Sequence, residues 1–436
     1  MKKESLFPRR DSLEAFERRS GSAFYRDVED QVREIVESVR SGGESRIRQF
    51  AQTFDNRSSS APLFYRKSEL LEAFEKLSTE EQGLFQAAGA RIRSFAEAQR
   101  GSLADLDVAI TGGRAGHRII AVENAGCYVP GGRYPLPSSL LMTVISARVA
   151  GVHSVWVATP RPDPMIMAAA WIAGADGLLA SGGAHGIAAL AFGVGPVPPS
   201  DVIVGPGNRY VTAAKKVLAG EIRIDMLAGP TELIIIADDE ADPRRLAADL
   251  LAQAEHDEDA FPVLISLSES LVTAVEVELA IQLNTLSTAT TARISLRNGG
   301  SLLASNDREA AHFCDNLAPE HVQVCTKNPQ ATAVLLRHYG ALFLGEQSTE
   351  VFGDYGAGPN HVLPTGRSAR TTAGLSVFTF LRVQTWLALN DVSFELDKLA
   401  AESAWFARLE GLEAHARAVE RRIDHGSVQT EKYRLE

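Results

Sequence analysis

The spacing of hydrophobic and polar positions changes character twice along the chain. Over 30–54 and 68–100, apolar side chains recur at mixed three- and four-residue steps with charges between them: Leu70, Leu71, Phe74 and Leu77, then Phe85, Ala88, Ile92 and Phe95. That period predicts helices with one buried stripe. From Arg118 onward, short runs rich in Val and Ile alternate with Gly/Pro turns and Ala-rich stretches, with strands predicted at 118–122, 154–158, 177–180, 202–204, 222–225 and 233–237. Strands alternating with helical segments predict right-handed βαβ units and a parallel sheet. Leu233, Ile234, Ile235 and Ile236 are apolar at every position, as a central strand covered on both faces requires. A helix from Asp242 or Pro243 to about Glu255 follows, with Pro243 suited to its first turn. Further strands are predicted at 262–266, 322–325 and 341–344, and a helix at 269–283. After Thr379 the pattern reads as helical almost to the end, closing with 402–423, and no internal repeat or long linker interrupts it. The expected fold class is α/β, with more than one domain and helical ends.

Composition narrows the function classes. The chain has 436 residues, 45% hydrophobic and 23% charged, which is ordinary globular usage. Its net charge is 44 − 55 = −11, which argues against a nucleic-acid or anionic-membrane partner, since phosphate neutralisation needs clustered Lys and Arg. Cys127, Cys314 and Cys325 are too few and too scattered for a disulfide framework or a thiolate zinc site. The first seven residues lack the apolar stretch of a secretory signal, so a reducing cytoplasm is the expected compartment. Segment 178–200 carries no Lys, Arg, Asp or Glu, but it is rich in Gly and Ala and ends in three prolines. It reads as buried strand, turn and helix, with no membrane span.

Candidate chemistry gathers beside turns. Gln253 and His256 are spaced to share one helix face near the helix end. With Asp354 in a loop flanked by Gly353 and Gly356, and His415 near the C-terminus, they offer amide, imidazole and carboxylate donors of the kind zinc takes. Spacing alone leaves open the plainer reading, a dipole-complementing His at a helix end and an exposed loop Asp. Glu320-His321 precedes a predicted strand, and Pro319 biases Ala318 towards an extended conformation. An adjacent carboxylate and imidazole suit a reaction that needs proton transfer in more than one step, although a surface Glu-His pair is the plainer alternative. Val204-Gly205-Pro206-Gly207-Asn208 leaves a strand and opens a helix, a place for an anion, yet no G-x-G-x-x-G fingerprint occurs there or in the 130–132 and 182–183 loops. No basic side chain adjoins Cys127, which reads as core.

Seven blocks in order resemble the histidinol dehydrogenase family, over about 33–420. They begin with Tyr128-Val-Pro-Gly-Gly, Val204-Gly-Pro-Gly-Asn-Arg-Tyr-Val-Thr-Ala-Ala-Lys215 and Ile224-Asp-Met-Leu-Ala-Gly-Pro-Thr-Glu232. Gln253-Ala-Glu-His256, Cys314-Asp-Asn-Leu-Ala-Pro-Glu-His321, the run from Gly353 to Thr365 and Glu410-Gly-Leu-Glu-Ala-His415 complete them. The resemblance implies two Rossmann-like parallel-sheet domains without the dinucleotide fingerprint, a helical N-terminal region and a helical tail. It implies a segment at 1–24, a discontinuous first domain at 25–127 plus 236–375, a second, cofactor-side domain at 128–235 and a tail at 376–436.

It further implies an NAD-dependent enzyme with one Zn²⁺ per subunit that oxidises the amino alcohol L-histidinol to L-histidine through an aldehyde. Carried over, the zinc ligands are Gln253, His256, Asp354 and His415, and Glu320 and His321 are the proton-transfer pair. Thr231, His361 and Glu410 join Gln253, His256, His321, Asp354 and His415 against the substrate, while Tyr128, His185 and Asn208 meet NAD. The implied assembly is a homodimer in which Glu410 and His415 enter the partner's site. This chain departs from the family in having His185 where Gln is usual, Thr231 for Ser, Glu258 for Pro, and Arg367-Ser368 for a smaller pair. His185 and Arg367 keep open a related zinc-dependent dehydrogenase for another small polar or anionic alcohol, with Arg209 or Arg367 meeting the anion. A zinc-dependent hydrolase, working without NAD, is the alternative of a different class.

Overall fold

A computed structural model describes residues 6–10, 12–14, 26–131, 135–389 and 394–422. The chain forms two compact units, Met1–Arg100 with Val122–Phe380, and Gly101–Ala121 with Leu381–Glu436. The first unit contains two six-stranded sheets.

One sheet runs in the order Arg9–Arg10, Gly300–Leu303, Phe261–Ser266, Glu232–Ala237, His321–Cys325 and Ala341–Leu344, every pair parallel. Its centre explains the unbroken apolar run. Leu233, Ile235 and Ala237 face a core built with helices Pro243–Ala254 and Glu269–Leu283, whereas Ile234 and Ile236 face Ala310, Ala311, Cys314 and Leu317 of helix Asp307–Leu317. Each such Leu or Ile side chain stabilises the fold by about 1.5–3 kcal/mol on burial, so both faces must be apolar. Asp242 caps helix Pro243–Ala254 through Arg244 N, and Pro243 occupies its first turn.

The other sheet runs in the order Phe64–Arg66, Gly177–Leu179, Ser154–Ala158, Asn124–Tyr128, Val202–Val204 and Arg223–Ile224. All its pairs are parallel except the first. Helix Glu29–Phe54 covers it with Val32, Val36, Val39, Ile47 and Ala51, and kinks at Gly43, where φ is +53°. Phe64–Arg66 and Asn124–Tyr128 both pair into this second six-stranded sheet.

The second unit contains an antiparallel sheet in the order Leu381–Leu389, Gly113–Ala121, Leu106–Ile110. Two readings are corrected here. The strand expected at 118–122 is the end of a nine-residue antiparallel strand, outside the βαβ region. The region after Thr379, expected to be helical, opens with strand Leu381–Leu389, whose ladder to Gly113–Ala121 supplies hydrogen bonds that local periodicity does not register. The closing helix is two, Phe394–Leu409 and Glu413–Glu420, broken at Gly411 with φ +79°. The expected segment at 1–24 lies largely outside the described residues, and its described part includes strand Arg9–Arg10, drawn out by pairing with Gly300–Leu303. Among the described residues no helix is long and apolar enough to cross a membrane.

Candidate active site

Two clusters in the first unit collect most of the expected residues. The first stands at the amino edge of the all-parallel sheet. Glu232 and His321 begin adjacent parallel strands, with Leu233 opposite His321. His321 Nδ1 lies 3.0 Å from the Glu232 carbonyl oxygen. A carbonyl only accepts, so Nδ1 carries the proton and Nε2 keeps its lone pair. His321 lines a cavity of about 820 Å³ together with Asp354, His361 and Phe343, and burial lowers its pKa. The approach to Glu320 departs from expectation. Ala318 is left-handed, φ +45°, because it caps helix Asp307–Leu317 with its N–H on the Cys314 carbonyl at 2.8 Å. Closing the buried helix end outweighs the extended preference before Pro319.

Glu320 is almost fully buried. Its Oε2 accepts from the Thr231 hydroxyl at 2.6 Å and from Glu232 N at 3.0 Å. Burial, opposed by those bonds and helped by the charge of Asp354, pushes its carboxyl up to about 8. Thr231 Oγ1 also accepts from Gln253 Nε2 at 2.8 Å. Gln253 closes the helix with a buried side chain, while His256 lies in the turn beyond it, half exposed. His256 Nε2 is 3.7 Å from Asp354 Oδ2. Asp354 is the last residue of a short helix, Glu350–Asp354, where a loop was expected, with Gly356 at φ +102° just after it. It also lines both the His321 cavity and a larger one of about 1230 Å³ that reaches His256.

Two atoms bound to one zinc at about 2 Å stand about 3–4 Å apart, so the His256–Asp354 pair fits a shared ion. Gln253 stands three residues before His256 in the chain, its amide on Thr231. Among the described residues no three His, Cys, Asp or Glu side chains gather to hold a metal. His415 and Glu410, both exposed, belong to the second unit.

Three neighbours escaped sequence reading. Glu350 is fully buried, its oxygens without a hydrogen-bond partner among the described residues and Oε2 3.9 Å from His321 Nδ1. Burial holds its carboxyl well above the usual range. Glu232 is also buried; one oxygen accepts from Gly366 N at 3.1 Å, and burial with the neighbouring Glu320 pushes it up to about 8. Ser139 meets His361 Nε2 at 3.1 Å while His361 Nδ1 takes the Asp354 carbonyl at 2.9 Å, so both ring nitrogens of His361 have protein partners. Thr349-Glu350 looks like an ordinary helix cap and first-turn acid in sequence, whereas Glu232 ends a quoted block and was discoverable.

The second cluster stands at the carboxyl edge of the other sheet. Tyr128, His185 and Asn208 line one cavity of about 460 Å³. Tyr128 OH accepts from Gly183 N at 2.9 Å, and Asn208 Oδ1 caps helix Arg209–Leu218 through Tyr210 N and Val211 N. His185 Nε2 is 2.9 Å from Asp55 Oδ2, both buried, and its ring leans on Phe50 and Phe54. Gly205 has φ +118°, and a Cβ there would meet the Tyr128 carbonyl at 2.1 Å. The loop is held by Lys215 and Asp225, a buried ion pair whose members bond Gly205 O and N. Arg209 pairs with Asp27 at 2.9 Å. Cys127 is core, and burial pushes its thiol up to about 12.

The family model described as histidinol dehydrogenase matches residues 18–423. This chain belongs to the histidinol dehydrogenase family. It is 45% identical to the histidinol dehydrogenase of Thermus thermophilus over 407 residues, 93% of this chain and 97% of that one. The Ruegeria pomeroyi histidinol dehydrogenase is 41% identical over 405 residues, 91% and 93% of the two chains. A crystal structure of the Elizabethkingia anophelis histidinol dehydrogenase superposes with a TM-score of 0.90 at 28% identity, covering 96% of this chain and 98% of that one. Membership in this family makes the protein a dehydrogenase, an oxidoreductase of histidine biosynthesis, and removes the hydrolase alternative.

Proposed function

We propose that this histidinol dehydrogenase family member oxidises L-histidinol to L-histidine in two NAD-dependent steps, with Glu320 and His321 moving the protons. The observation that carries the reading is the environment of His321. Its Nδ1 is committed to the Glu232 carbonyl, and burial keeps the ring neutral. Nε2 is then a base at neutral pH, fit to take the alcohol proton as the first hydride leaves carbon.

The aldehyde must next gain a water oxygen before the second hydride can leave. Glu320 takes that water's proton when ionised, and its raised pKa makes it a stronger base than an ordinary carboxylate. Overall, an alcohol, one water and two oxidised cofactors give a carboxylate, two reduced cofactors and three protons. Bound NAD is the hydride acceptor in both steps, with Tyr128, His185 and Asn208 lining its place. Gln253, His256, Asp354 and His415 would hold the zinc, which would supply a fixed positive charge to orient the substrate. Thr231, His361 and Glu410 are assigned to the substrate side; His361 also holds the end of helix Glu350–Asp354 through the Asp354 carbonyl. In this reading the enzyme is a cytoplasmic homodimer, and Glu410 and His415 come from the second copy.

The test is stoichiometry. Purified enzyme with zinc should form two NADH for each L-histidinol consumed, and no turnover would contradict the reading. A small anionic alcohol offered in parallel should not compete; turnover of it in preference would favour the related-dehydrogenase alternative that Arg367 keeps open.

A further inference from the structure

We infer that Thr231 is a positioning residue that decides which end of the Gln253 amide is turned towards the metal. The inference rests on the proposed role of Gln253 as a ligand. Thr231 Oγ1 stands between two buried partners, 2.6 Å from Glu320 Oε2 and 2.8 Å from Gln253 Nε2. A hydroxyl has one proton to give. Glu320 Oε2, which also accepts from Glu232 N, takes that proton, and this is the shorter of the two bonds at Thr231 Oγ1. Only lone pairs remain on the Gln253 side, and they take the amide through its NH₂ end. Oε1 is thereby turned away from Thr231 and freed as the donor that a metal needs.

The arrangement is rigid at both ends. Gln253 is 1% exposed on the last turn of its helix. Glu320 Oε2 is held a second time, by Glu232 N at 3.0 Å. Thr231 itself sits where the Phe261 N–H binds its carbonyl at 2.9 Å, and its β-branch narrows the hydroxyl's choice of direction. One side chain thus links the ligand amide to the water-activating carboxylate. Without the hydroxyl, the two amide orientations lose the contact that separates them.

The experiment measures zinc affinity of the full-length enzyme, stripped of metal and titrated with Zn²⁺ against a chromogenic chelator. Thr231→Val should weaken zinc binding about 10–100-fold, the range for removing a group that orients a ligand, whereas Thr231→Ser should stay close to the parent. Gln253→Ala should weaken binding to a similar degree, and adding Thr231→Val to it should cause little further loss. Wild-type affinity in Thr231→Val, with affinity lost in Gln253→Ala, overturns the inference and leaves the ligand assignment standing. Wild-type affinity in Gln253→Ala overturns the ligand assignment and the inference with it. Thr231→Ala carries the same expectations if the valine variant does not fold.

Discussion

The two clusters of the first unit lie at opposite edges of their sheets. Tyr128 ends one parallel strand, while His185, in the first turn of helix Gly183–Phe192, and Asn208, capping helix Arg209–Leu218, follow two others, so the candidate cofactor site is at a carboxyl edge. A capped helix start and glycine turns line the cavity there, the usual arrangement for α/β proteins. Glu232 and His321 instead begin their strands, and Gln253 ends a helix, which places the candidate proton-transfer site at an amino edge. Its polarity comes from side chains that the fold buries, Glu232, Glu320, His321 and Glu350. The carboxyl-edge cavity is lined by turns and a capped helix start; the amino-edge cluster is made of buried side chains whose pKa values burial shifts.

That contrast can be broken by mutation. His321→Ala should lower kcat by about 10²–10⁴-fold with the cofactor dissociation constant unchanged, measured by steady-state kinetics and NADH fluorescence titration. Loss of cofactor binding would merge the two clusters. At the carboxyl edge, Lys215→Met should cost about 3–5 kcal/mol of stability by stranding buried Asp225, seen as a lower denaturation midpoint. Pairing it with Asp225→Leu should recover part of the loss, and an unchanged midpoint in the single variant would show that the Gly205 loop needs no anchor.

A smaller effect separates binding from chemistry. His185→Ala removes the partner of Asp55 and should raise the KM for NAD by about tenfold while kcat holds. A fall in kcat at constant KM would move His185 into the chemistry. The smallest effect is a pH drift in stability. Glu232 and Glu320 hold their protons up to about 8 when folded, against an ordinary value of 4.5. Between those limits the native state binds protons that the unfolded chain releases, so stability falls as pH rises through the window. Melting of metal-free enzyme from pH 5 to 8 should show it, and Glu320→Gln should flatten the slope.

Much of this was legible before any coordinates. The run 233–236 announced a doubly covered strand because both faces need apolar cover, and Pro243 and Asp242 marked a helix start by local chemistry. Glu320, His321, Gln253, His256 and Asp354 stood out by their placement beside turns and, more specifically, by the blocks they occupy. What escaped depends on distant partners. Leu381–Leu389 alternates too weakly to announce a strand without its ladder to Gly113–Ala121. Glu350 and Asp55 look like surface acids in sequence and become site residues only because the fold buries one beside His321 and pairs the other with His185.

The central claim is that Glu320 serves the water step and His321 the hydride steps. A single-turnover count of NADH with Glu320→Gln tests it most directly. The wild type should give two NADH per L-histidinol at comparable rates. Glu320→Gln should give the first NADH at a rate near wild type and the second slowly or not at all, with aldehyde trapped by semicarbazide. Two NADH at the wild-type rate, or loss of the first along with the second, would contradict the account.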